Sequence, residues 1–419
     1  MIRKLIAAAL LASTASVAAA QSGPAPTQTQ APAATNYVPA AAPTDPARLA
    51  AARRLVDAAL PSSLIEQAML AGIRAGAEQQ RGNTAASARD PHRAERARIE
   101  QRVMEEETTR IVRDLDPNMR AIFADFYARA LSAGELEAVA DFYSSPAGRR
   151  FSEGALNAAL DPEYQRSMEA LNPVFAAAAA GADRRFGAAM AGLPPIPGMP
   201  APPAAGAAPA AADVAPPAIA LPRRSGPSVD GARAAAAARA LDALWPSELF
   251  RRTYNLLPAV ETLMSIRVGD FGIPVPPSAG IDPNSTLAEI GSGFDPHLRQ
   301  RLPVLTRFAA SEFARLMTAM EPGWKSLTAD AYARQFTAAE LDAVTAFYSG
   351  AAGQRFAAES FKAMEDPQLV RSIVMMVPRL AMQIPVMTQR LQQATAHLPP
   401  PQPETAPPAP RPERRRGRN

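Results

Sequence analysis

Two histidines sit in matched settings, His92 and His297, each directly after an Asp-Pro pair. They invite metal ligation or proton transfer. A zinc site wants three or four His, Cys or carboxylate ligands, yet Glu95 near His92 is answered by Gln300 near His297, and the chain has no Cys. Asp-Pro explains itself as a helix N-cap with proline at the first helical position, so the pattern predicts two helix starts with incidental histidines. His397, at the edge of a Pro-rich tail, adds no partner. No metal and no other cofactor is expected.

Glu135 and Glu340 would serve as general acids or bases if burial raised their carboxyl pKa. Their setting offers another use. Ser132-Ala-Gly-Glu135 and Thr337-Ala-Ala-Glu340 each spell a capping box, in which the hydroxyl takes an orphan backbone N–H and the glutamate reaches back to the cap residue. Leu131 with Leu136, and Phe336 with Leu341, supply the apolar staple around it. Ser132, Glu135, Thr337 and Glu340 are therefore read as structural caps. Tyr127, Tyr143, Tyr332 and Tyr348, with Arg129, Arg150, Arg334 and Arg355, have the types to line a pocket for an anionic ligand; amphipathic rings equally tie helices together. Met375, Met376, Met382 and Met387 suit an adaptable apolar groove, or fill gaps in a core helix. The candidate binding surface is thus Tyr127, Arg129, Tyr143, Tyr332, Arg334, Tyr348, Met375, Met376 and Met382. Nucleophilic catalysis finds little support: there is no Cys, no G-x-S-x-G elbow and no Gly-rich phosphate loop.

What positions these residues is a duplication. Residues 121–151 return at 326–356 with 17 of 31 positions identical. Tyr127 and Tyr332, Gly148 and Gly353, Asp161-Pro162 and Asp366-Pro367, and Pro173 and Pro378 are all 205 apart, whereas Pro61 and Pro246 are 185 apart. Twenty extra residues therefore precede Asp295, and the Gly/Pro-punctuated stretch 268–294 reads as an inserted loop. Cap and proline signals predict helices over 46–59, 91–115, 117–130, 133–144 and 146–160, with counterparts in the second copy. Pro173 and Pro378 lie inside the last helix of each copy, where a kink is expected. The fold class is all-α: two tandem helical-bundle domains, 45–191 and 229–397.

The flanks have their own character. Residues 1–20 join Arg3 and Lys4 to an apolar run ending in Ala18-Ala19-Ala20, the pattern of a secretory signal peptide. Without Cys there is no lipobox and no disulfide. A soluble exported protein follows, with the periplasm as its compartment. Residues 21–44 read as a disordered leader, 192–228 as an Ala/Pro linker and 398–419 as a disordered Pro/Arg-rich tail. Lys occurs only at 4, 325 and 362, so the Arg-rich composition reflects coding bias, and no specific nucleic acid is implied. No stretch after the signal is apolar enough to span a membrane.

Phe336, Thr337, Glu340, Leu341, Phe347, Tyr348 and Gly353, answered by Glu135, Leu136, Phe142, Tyr143, Ser145, Pro146 and Gly148, resemble an exported bacterial family known as a domain of unknown function, DUF 2059. The resemblance implies an all-helical exported module in two tandem copies. It carries over no catalytic residue. The resulting expectation is non-enzymatic binding of envelope proteins or an apolar ligand. The alternatives are a hydrolase acting on wall or lipid material, and a periplasmic assembly or chaperone-like helper.

Overall fold

A computed structural model describes residues 45–67, 69–71, 73, 92–169, 172–173, 182, 185–190, 192–194, 230–252, 254–271 and 280–399. The expected signal peptide, leader, most of the linker and most of the tail lie outside the described residues. Inside them the regular structure is helical, with one isolated antiparallel bridge between Arg267 and Thr286. The first copy contributes α1 (Pro46–Ala59), α2 (Arg93–Ala130), α3 (Ala133–Ser144), α4 (Pro146–Leu160) and α5 (Pro162–Glu169). The second contributes α6 (Gly231–Leu244), α7 (Ser247–Arg251), α8 (Leu257–Met264), α9 (Leu287–Phe294), α10 (Leu298–Gln335), α11 (Ala338–Ser349), α12 (Ala351–Lys362), α13 (Pro367–Val374) and α14 (Val377–Thr395).

Local chemistry accounts for most helix starts. Asp45 and Asp230 cap α1 and α6 by accepting from Ala47 N and Ala232 N. Ser132 and Thr337 form complete capping boxes with Glu135 and Glu340. Three expectations are corrected. The break foreseen at Pro117 is absent: α2 runs through it, and α10 runs through Pro303 and Pro322. Each proline removes one N–H donor and crowds one carbonyl, a cost offset where buried residues lie on both sides, as Val112, Ile122, Phe123 and Phe126 do around Pro117. Pro378 does not kink a helix either; the chain turns at Met375-Met376 and Pro378 sits in the first turn of α14, where a missing N–H costs nothing. The stretch 268–294 is not all loop, because Thr286-Leu-Ala-Glu289 builds a third capping box that starts α9.

The chain divides into two compact units, one holding Met1–Ala68 and Val112–Ala381, the other Met69–Ile111 and Met382–Asn419. These units do not follow the boundaries of the repeats. In the first unit, α1 lies on α3 and α6 lies on α11. The buried faces match in register: Ala51, Ala52, Leu55, Val56 and Ala59 answer Ala236, Ala237, Ala240, Leu241 and Leu244. Small alanines allow close helix approach, and Leu and Val fill the remainder. Residues of both copies enter one continuous core, including Phe123, Leu136, Val139, Tyr143, Ala331, Leu341, Val344 and Tyr348. In the second unit a small cluster of Ile99, Val103 and Leu398 packs with Leu391 and Ala394.

Gly148 makes the corner between α3 and α4, and Gly353 the matching corner between α11 and α12. A Cβ there would overlap the carbonyl oxygen of Phe142 or Phe347 and stand 2.7 Å from the Cα of Tyr143 or Tyr348. Backbone cannot yield as a flexible side chain can. Gly148→Ala and Gly353→Ala are each expected to cost about 1–3 kcal/mol of stability, read as a lower urea midpoint. Gly134→Ala, whose Cβ would meet open space, is expected to leave the midpoint unchanged or raise it.

Candidate functional site

The repeated polar residues converge on the seam between the copies in the first unit. The rings of Phe142 and Phe347, equivalent positions, stack in parallel with centroids 4.0 Å apart. Next to them the hydroxyls of Tyr143 and Tyr348, again equivalent, are 2.6 Å apart in the buried interior. Burial first, and the adjoining Tyr143 second, hold the phenol of Tyr348 well above its ordinary pKa. Around this pair, contacts occur twice. Phe151 meets Tyr332 edge-on as Tyr127 meets Phe356 at a tilt. Arg129 reaches Asp366 at 3.1 Å, and Arg334 reaches Asp161 at 3.3 Å. Both aspartates also cap helices, Asp366 accepting from Leu369 N at 2.6 Å and Asp161 from Glu163 N at 2.7 Å. Arg129 and Arg334 each also bind an aspartate one helical turn back, Asp125 and Asp330.

The candidate binding residues therefore separate. Tyr127, Tyr143, Tyr332 and Tyr348 are buried in the core, not on a surface. Arg129 and Arg334 are held in bridges across the seam. Met376 is buried in the same core and Met375 is half-buried beside it in sequence, while Met382 falls in the other compact unit and is half-buried there. The four capping residues stand at the helix starts. Glu135 accepts the Ser132 backbone N–H at 2.7 Å and the Ser132 hydroxyl at 2.8 Å, and these bonds hold its carboxyl below the usual range. Glu340 accepts the Thr337 backbone N–H at 2.7 Å and the Thr337 hydroxyl at 3.0 Å. An arginine of the first copy, Arg150, lies 3.5 Å from Glu340 and donates to the Gln335 carbonyl at 2.8 Å.

Two open depressions lie on this unit. One, of about 630 Å³, surrounds the first capping box and is lined by Arg48, Arg129, Ser132, Glu135 and Arg355. Its arginines are engaged: Arg48 donates to the Leu131 carbonyl at 2.8 Å, and Arg355 lies 3.2 Å from Glu359. The second, of about 500 Å³, is lined by Asp57, Ser63, Leu64, Gln67, Arg149, Ser152, Glu153 and Asn157. The first mixes its charged side chains with Ala130, Leu131 and Ala133, the second is the more polar, and neither encloses a volume as an apolar ligand site does.

Some features escape the sequence. In the second unit Glu107, its side chain 1% exposed, is gripped by Arg110 at 2.7 Å and by Arg390. The spacing of Glu107 and Arg110 marks the near pair; nothing local marks Arg390. His92 and His397 both lie near Glu95, at 3.8 and 3.9 Å. His297 is the N-cap residue of α10 without a side-chain cap, and Asp295 accepts its backbone N–H at 3.0 Å while pairing with buried Arg301 at 2.7 Å. Among the described residues the buried Tyr254 hydroxyl has no hydrogen-bond partner, and burial raises its pKa. Among the described residues no group of three or more His, Cys, Asp or Glu is placed to hold a metal, and no helix is long and apolar enough to cross a membrane.

A family model described as an uncharacterized protein conserved in bacteria (DUF2059) matches residues 117–173 and again 325–377. Each match takes in the end of the long helix and the three helices after it. No curated protein and no solved structure matches the chain.

Three sets of substitutions test these roles. Tyr143→Phe or Tyr348→Phe alone is expected to cost about 1–3 kcal/mol by removing a buried partner, with the double substitution costing about 1 kcal/mol less than the sum. Ser132→Ala is expected to cost about 1 kcal/mol. Because Glu135 has a folded pKa below its unfolded value, its contribution is present at neutral pH and is lost as pH falls through the carboxylate range toward the folded pKa. Glu135→Gln should flatten that part of the stability–pH curve, measured by urea unfolding from neutral to acid.

Proposed function

The chain carries two tandem copies of the bacterial DUF2059 domain, and on that premise we propose that it is an exported periplasmic module that binds envelope proteins without catalysing a reaction. The observation that carries this reading is the use of the repeated ionisable residues. Glu135 and Glu340 are spent on caps, and Arg129 and Arg334 on bridges to capping aspartates. What differs between the copies lies outside that framework. The second copy alone has the insertion with α9, a mainly apolar helix none of whose residues is buried, ending in Phe294 with 77% of its surface exposed. Ile281, in the same insertion, is also exposed. An apolar helix with no fully buried residue suits a protein contact. Export rests on the charged, apolar and small-residue sequence of residues 1–20.

The two parts are tested separately. Intact-mass measurement of the mature chain from the periplasmic fraction is expected to show a start at Gln21; retention of residues 1–20 in the cytoplasm would end the export reading. A photo-crosslinking residue at position 294 is expected to yield a discrete protein adduct in the envelope, absent when the probe stands at exposed Arg54. Equal labelling at both positions would remove the insertion as a binding surface.

A further inference from the structure

The contacts across the seam are those of a two-fold interface. In such an interface a residue on the axis meets its own equivalent, and every other contact occurs twice with the partners exchanged. Phe142 with Phe347 and Tyr143 with Tyr348 meet the first condition, each pair being separated by 205 in sequence. Arg129–Asp366 with Arg334–Asp161, and Tyr127–Phe356 with Phe151–Tyr332, meet the second.

The same exchange appears at the ends of the repeats. Within the first unit, Arg185 of the first copy binds Glu312 of the second at 2.6 Å, Phe186 packs edge-on against Phe308, and Arg301 donates to the Pro194 carbonyl. Within the second unit, Arg390 of the second copy binds Glu107 of the first, Leu391 packs with the Val103 cluster, and Arg96 donates to the Pro399 carbonyl. Each position again matches its counterpart at a separation of 205. The last segment of each copy therefore lies against the long helix of the other copy.

We propose that the inner face of each copy is a homotypic pairing surface whose partner is another copy of the same repeat, so that this chain is a two-fold dimer fused into one polypeptide. The linker raises the effective concentration of the pair but is not what holds it together. Where the linker is cut, the same face takes its partner in trans. This inference is independent of the proposed envelope binding.

The test uses the full chain with a protease site inserted between Ala205 and Gly206. After cleavage the two fragments are expected to migrate as one particle of the uncut size, by native mass spectrometry and gel filtration at about 1 μM, as interfaces of standard size sustain. Facing positions should also be coupled by charge. Cut F142K/F347K is expected to dissociate about tenfold more readily than cut F142K/F347E, since like charges across a contact repel and opposite charges attract. Fragments that separate on cleavage of the unsubstituted chain would overturn the proposal, and so would equal dissociation of the two substituted forms.

Discussion

The structure depends on one contact, the meeting of Phe142-Tyr143 with Phe347-Tyr348. Two flat rings stacked at 4.0 Å and two hydroxyls at 2.6 Å leave little freedom in how the copies face each other. Burial of the hydroxyls raises the cost of any arrangement that parts them, because a phenol without a partner in the interior loses its solvation. The glycine corner makes the contact accessible. Gly148 and Gly353 let α4 and α12 fold close against the ends of α3 and α11, where the Phe-Tyr pairs are carried.

From that contact the charged residues take their places. An aspartate that caps a helix already carries two demands, satisfying backbone N–H groups and keeping its charge tolerable near the interior. Arg129 and Arg334 meet the second demand from across the seam, tying helix starts of one copy to the long helix of the other. Partly buried ion pairs contribute through such geometry more than through number. The large-for-small exchange at Phe336 follows the same logic. Its ring occupies the space over Gly154 of the other copy, where any Cβ would collide with it.

Much of the divergence lies where the seam does not reach. The insertion of the second copy starts a helix by its own capping box and leaves Phe294 outward. The polar depression beside Asp57, Gln67 and Ser152 belongs to the first copy, and the second has Arg252 in place of Gln67 and Ala357 in place of Ser152. Shared residues thus maintain the architecture, and unshared ones vary the surface.

By itself the sequence determined the duplication, the helical class and the starts of α1, α3, α4, α6 and α11, because caps, boxes and proline rules act within three or four residues and are written locally. It named the four tyrosines and the paired arginines as special without deciding whether they faced solvent or one another. Only the tertiary structure decided that the two copies share a core, that prolines 117, 303 and 322 are carried within unbroken helices, and that Arg185 and Arg390 bind glutamates far away in sequence. The reason is physical: amphipathic periodicity shows that a face must be buried but not against what, and the choice is made by shape and charge matching between segments some two hundred residues apart.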